Sequence, residues 1–78
     1  MMAIERSYTV VLEPEAEGGF SVSVPALPEI ATQGETVEEA LESAREAITL
    51  VLVDRNERGE EIPPSDMDAR IERVAVAV

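Results

Sequence analysis

Residues 36–59, TVEEALESAREAITLVLVDRNERG, are the longest periodic stretch of the chain and decide its architecture. Val37, Ala40, Leu41, Ala44, Ala47, Ile48, Val51 and Leu52 recur at i, i+3, i+4 and i+7, which lays one apolar stripe along a helix. Thr36 followed by Glu39 predicts a capping box, the hydroxyl accepting from the Glu39 amide and the carboxylate accepting from the Thr36 amide. Glu38 and Glu39 fall at the positive end of the helix dipole and Arg55 and Arg58 near its negative end. Gly59 supplies the left-handed residue that closes the last turn. Such a helix runs roughly 30 Å, so the rest of the chain has to form a layer on which it can lie.

The flanking residues read as strands. Ser7 to Glu13 alternates Tyr8, Val10 and Leu12 with Thr9, Val11 and Glu13, the pattern of a first strand. Pro14 to Gly19 combines a proline, acids and a Gly-Gly pair, the chemistry of a hairpin connection. Phe20, Val22 and Val24 alternate with Ser21 and Ser23, giving a second strand with one apolar and one polar face. Pro25 and Pro28 end it, and Ala26, Leu27 and Glu29 make a bend. Ile30 to Gln33 is then long enough for a short third strand. After Gly59, the adjacent Pro63 and Pro64 exclude a helix and make Glu60 to Ser65 a loop. Asp66 to Ala69 reads as a turn. Arg70 to Val78 alternates Val74, Val76 and Val78 with Arg73, Ala75 and Ala77, predicting a fourth strand that is apolar on both faces.

The expected fold is therefore α+β: a two-layer β-β-β-α-β domain covering residues 1–78, with a mainly antiparallel sheet and one long helix on one face. A right-handed crossover puts the strands in the order three, two, one, four. The helix is expected to lie over strands one and two, with Val37, Leu41, Ile48 and Leu52 against Phe20, Val22, Tyr8 and Val10. On that reading Leu41→Ala is among the most damaging single changes, since a fully buried large side chain contributes about 1.5–3 kcal/mol.

Composition removes most catalytic chemistries. Seventy-eight residues without Cys or His exclude disulfides, thiolate or imidazole zinc sites, and nucleophile pairs that need a His. All 6 basic residues are Arg, so Schiff-base and Ser-Lys chemistry is excluded as well. Carboxylates with a divalent ion are what remains. The acids, however, sit in a hairpin (Glu13, Glu15, Glu17) and near the end (Asp66, Asp68), with no sign of convergence on one point from rigid elements. Asp54 to Gly59 begins like a calcium loop, but its fifth position is Arg58 and its twelfth is Ser65 instead of a bidentate Glu. The same residues make a helix C-terminus. No cofactor, metal or catalytic set is expected.

A formal net charge of −11 opposes direct contact with nucleic acid, whose affinity comes from Lys and Arg displacing counterions. The same field attracts a basic protein. No apolar run approaches the roughly 20 residues that span a bilayer. The start, Met1 to Arg6, lacks the basic and apolar regions of a signal peptide, so the expected location is the cytoplasm.

Three segments, taken jointly, carry a family resemblance. They are Glu17-Gly18-Gly19-Phe20-Ser21-Val22, Val24-Pro25-Ala26-Leu27-Pro28, and Thr32-Gln33-Gly34-Glu35-Thr36-Val37-Glu38-Glu39-Ala40-Leu41-Glu42 with Ala44-Arg45-Glu46-Ala47. The chain resembles the HicB-like antitoxins from about the first strand to Ser65, as a short form without the C-terminal DNA-binding domain of full-length members. It departs from them at Glu29-Ile30, where members commonly carry Gly-Cys. The resemblance implies a partly degraded ribonuclease-H-like fold. It also implies a non-enzymatic module that binds and masks a small basic HicA-type toxin, an mRNA-cleaving ribonuclease.

With the charge, this points to Glu13, Glu15 and Glu17, with Glu29 nearby, as the partner-binding residues. The alternative is a homo-oligomeric scaffold or small-ligand-binding domain with no toxin. Self-association to a homodimer or higher homo-oligomer is expected as well. One helix covers one sheet face, and Ala75 and Ala77 would leave an apolar patch on the other face or along the fourth-strand edge.

Overall fold

The computed structural model describes residues 5–78; the reading of Met1 to Ile4 as lacking a signal peptide lies outside the described residues. Strands β1 (Val11–Pro14), β2 (Phe20–Ser23) and β3 (Ala31–Gly34) form an antiparallel meander, followed by helix α1 (Val37–Glu57). In the register, Leu12 lies opposite Val22 and Val22 opposite Thr32, while Pro14, Phe20 and Gly34 align in the next row. The alternate rows carry Val11, Ser23 and Ala31, then Glu13, Ser21 and Gln33, so the apolar and polar faces of β2 separate as its sequence predicts.

Helix α1 starts where its cap predicts. The Thr36 hydroxyl accepts from the Glu39 amide at 3.1 Å. At the other end the Gly59 amide donates to the Asn56 carbonyl and the Glu60 amide to the Arg55 carbonyl, with Gly59 at φ +70°. The helix therefore runs through the calcium-loop look-alike, and its last carbonyls are satisfied by the chain that follows.

The helix lies over β2 and β3; Ile48 and Leu52 pack in one cluster with Tyr8 and Val10 as expected, but the third strand, which the expected position leaves out, takes the closest contact. Only Glu35 and Thr36 separate β3 from α1, so the helix has no length of chain in which to cross the sheet. Gly34 makes the contact close. A Cβ built there would stand 2.4 Å from the Ala40 amide nitrogen and 2.6 Å from its Cα. Ala40 and Ala44 are accordingly the fully buried helix positions, packed on Val22 with Val10, Leu12 and Phe20 around them. Small residues fill this contact because the backbones almost touch. Leu41 and Val37, expected in the core, are 47% and 44% exposed.

A second cluster is built by the proline-bounded bend. The Leu27 amide donates to the Val24 carbonyl at 2.9 Å and the Ile30 amide to the Leu27 carbonyl at 3.0 Å. These are two successive tight turns with Pro25 and Pro28 at their second positions, where the fixed proline φ fits. Successive turns bring Val24, Leu27 and Ile30 to one side, where they are buried against Tyr8, Val10, Ala47, Ile48, Val51 and Leu52. Leu27 is fully enclosed.

The expected fourth strand is absent from the described residues: Met67 to Val78 are all exposed and form no ladder. Residues 7–9 face no β2 partner, because the chain turns away at Val24, and the loop after the helix takes their polar groups instead. The Ser7 amide donates to the Ser65 hydroxyl, the Asp66 amide to the Ser7 carbonyl, and the Thr9 amide to the Asp66 carboxylate at 2.7 Å. The Tyr8 hydroxyl donates to the Pro63 carbonyl at 2.6 Å. The chain then enters the turn Asp66 to Ala69, closed by the Ala69 amide on the Asp66 carbonyl, and leaves the sheet.

Candidate interaction surfaces

The β1–β2 hairpin is a rigid platform for acids. The Glu15 amide donates to the Gly19 carbonyl and the Gly18 amide to the Glu15 carbonyl, each at 3.0 Å. Gly18 and Gly19 take φ +101° and +77°, a conformation that costs a side-chain-bearing residue dearly. Glu13, Glu15 and Glu17 are all exposed on it. The register puts Gly34 opposite Phe20 at this same end of the sheet, which brings Glu35, Glu38 and Glu39 from the start of the helix beside the hairpin. Glu15 and Glu35 line one shallow depression of about 70 Å³. Among the described residues none of these six carboxylates has a salt-bridge partner. From Ser7 to Ala44 the sequence holds no basic residue at all, so the field of this end is uniformly negative.

Glu29 lies elsewhere. It follows β2 at the opposite end of the sheet from the hairpin, and its carboxylate accepts from Arg55 Nε at 3.2 Å and Nη2 at 2.7 Å. That two-pronged hydrogen bond, with the surrounding backbone amide, holds the Glu29 carboxyl below the usual carboxylate range. The pair ties the proline bend to the last turns of α1. Sequence reading groups Glu29 with the hairpin acids; the structure separates them and gives Glu29 an internal partner.

The third surface is a groove of about 730 Å³ between the β1 side of the helix and the chain at residues 6–10. Tyr8, Val10, Leu41, Ile48 and Leu52 form its apolar lining, with Arg6 and Arg45 among the residues around it. Sequence reading missed it, having filled this space with a fourth strand. Ala75 and Ala77, the expected self-association residues, stand exposed on the terminal segment, away from any sheet face.

Among the described residues no three His, Cys, Asp or Glu side chains gather to hold a metal ion, and no helix is long and apolar enough to cross a membrane. Open carboxylates on a stiff hairpin can receive guanidinium or ammonium groups, and an apolar groove can receive apolar side chains.

Comparison with known proteins agrees with the fold's signature segments. Residues 8–76 match the family described as "HicB_like antitoxin of bacterial toxin-antitoxin system". An antitoxin HicB of Photorhabdus laumondii is 50% identical over 56 residues, covering 72% of this chain and 36% of that protein. Antitoxin HicB of Escherichia coli is 44% identical over 63 residues, covering 80% and 46%. A UPF0150 protein of Thermoplasma acidophilum is 41% identical over 56 residues and is itself covered to 81%. The chain thus spans less than half the length of the two antitoxins and most of the length of the archaeal relative. The match includes the Gly-Gly hairpin, the proline bend and the capped helix, and on it the chain belongs to the HicB-like antitoxin family of bacterial toxin–antitoxin systems.

Proposed function

We propose that this chain is a non-enzymatic antitoxin module that binds a small basic HicA-type toxin in the cytoplasm and masks its mRNA-cleaving site. The observation that carries this reading is the acidic end. Glu13, Glu15 and Glu17 project from a stiff hairpin beside Glu35, Glu38 and Glu39, without a cation to neutralise them among the described residues. A ribonuclease that grips the phosphate backbone must present Lys and Arg. A surface of fixed carboxylates competes for those groups, speeds encounter and excludes RNA from them. By the same physics the chain alone has no means of holding nucleic acid tightly, since its net charge is −11.

A homo-oligomeric scaffold without a toxin is the second reading, favoured by the exposed apolar residues Ile71, Val74, Val76 and Val78. The two differ in one experiment. The small basic protein encoded beside this chain is purified, its cleavage of an unstructured RNA is followed, and the chain is added in increasing amounts. The antitoxin reading expects cleavage to stop near equimolar addition. Full cleavage in the presence of excess chain, or the absence of any such basic neighbour, supports the scaffold.

A further inference from the structure

The terminal segment and the groove have complementary surfaces that this chain does not bring together. Ile71, Val74, Val76 and Val78 are 70%, 83%, 80% and 124% exposed, while Tyr8, Val10, Leu41, Ile48 and Leu52 line an open groove between helix and sheet. Beside that groove runs the free edge of β1. Across the hairpin the Glu15 amide donates to the Gly19 carbonyl, so alternation turns the amides and carbonyls of Val11 and Glu13 toward Ser23 and Ser21 of β2. The groups of Val10 and Leu12 then point to the other side, where no third strand meets them. An unpaired edge beside an uncovered apolar groove is a receptor for a strand whose alternate side chains are apolar.

We infer that the occupant is the segment Arg70–Val78 of a second copy of this chain, exchanged reciprocally across a two-fold axis. Its alternation sends Val74, Val76 and Val78 to one face, into the groove, while Ala75 and Ala77 face away and leave the outer side flat. The chain's own segment is directed elsewhere. Two hydrogen bonds fix Asp66 to residues 7 and 9, and the turn closed at Ala69 interrupts the extended run that a strand continuing along its own β1 would need. Beyond the turn the segment projects from the body, and the molecule measures 50 Å in its long dimension against 27 and 21 Å in the others. Nine extended residues reach about 30 Å, enough to cover a neighbour's groove. Exchange keeps the loop's hydrogen bonds intact, whereas closure within one chain has to undo the turn. It also explains why Leu41 carries a large apolar side chain at a position that the single chain leaves half exposed.

Sedimentation of the full chain at micromolar concentration tests the contact, with Val76→Asp and Leu41→Glu as variants. Both positions are exposed in the single chain, so circular dichroism should report an unchanged fold. The inference expects a dimer for the wild-type chain and a monomer for each variant, with dissociation constants raised about a hundred-fold or more. The chain has no cysteine, so oxidation of a Leu41→Cys/Val76→Cys double variant reports the geometry directly. A covalent dimer on a non-reducing gel supports exchange. An internally linked monomer shows closure within one chain and overturns it. A wild-type monomer, or a dimer that survives Val76→Asp, overturns it too and leaves the groove to another partner.

Discussion

The two ends of the sheet hold the same kind of residue in opposite states. At the hairpin end Glu13, Glu15 and Glu17 stand on a stiff turn with no cation beside them among the described residues; at the bend end Glu29 is gripped by Arg55 over a buried cluster of Val24, Leu27 and Ile30. A carboxylate that is already satisfied by an internal guanidinium has little to offer an external one, and serves to fasten the bend to the helix. A carboxylate left open among like charges is destabilising to the free fold and is relieved by a cationic partner. Position in the fold, not residue type, separates the acid that fastens the bend from the acids left open at the hairpin.

If the bend end is the structural end, breaking it should unfold the chain. Leu27→Ala removes a wholly enclosed side chain and should cost about 2–5 kcal/mol, a large fraction of what a domain this small has. Leu41→Ala, the same chemical change at a half-exposed helix position, should cost under about 1 kcal/mol. Chemical denaturation of the two variants gives the contrast; equal losses would show that the helix contact has been misplaced. Next in size is Gly34→Ala, which drives a methyl into the backbone of Glu39 and Ala40. It should lower stability by about 1–3 kcal/mol and loosen the hairpin end, which amide hydrogen exchange at Ala40 would detect.

A smaller effect should appear in acid. The folded-state pKa of Glu29 lies below its unfolded value, so the pair's contribution is present at pH values above the unfolded pKa. It is lost as the pH falls through the folded pKa. The stability difference between the wild-type chain and Glu29→Gln should therefore be constant near neutrality and shrink toward zero in acid. A difference independent of pH would mean that the Arg55 contact does not act through charge.

How far this contrast could be read from the residues follows from which interactions are local. The helix, its Thr36 cap, its Gly59 end and the Gly-Gly hairpin depend on neighbours within a few positions, and each lies where the sequence puts it. The core assignment failed where size was taken as a guide to burial. Gly34, Ala40 and Ala44 form the tight contact because they are small, and Leu41 faces the groove. The bend reads as a connection, although Val24, Leu27 and Ile30 at three-residue spacing, the first two each followed by proline, signal two turns presenting one apolar face. In the sequence Glu29 groups with the hairpin acids because nothing in the charge pattern marks the strand that separates them. The alternation in Arg70 to Val78 is real, but the turn closed at Ala69 carries the segment away from the edge of β1. Pattern shows what a segment can form, not where its partner is.

The claim that the hairpin acids receive a basic toxin is tested most directly by calorimetric titration of that toxin into three proteins: the wild-type chain, Glu29→Gln, and the triple variant Glu13→Gln, Glu15→Gln, Glu17→Gln. The triple variant should keep its fold and melt no lower than the wild-type chain, since it removes only exposed, mutually repelling charges without salt-bridge partners. It should nonetheless bind at least about ten-fold more weakly, corresponding to about 1.4 kcal/mol, with a reduced dependence on salt. Glu29→Gln should bind like the wild-type chain. Unchanged affinity in the triple variant, with affinity lost in Glu29→Gln, would place the binding surface at the other end of the sheet and contradict the account.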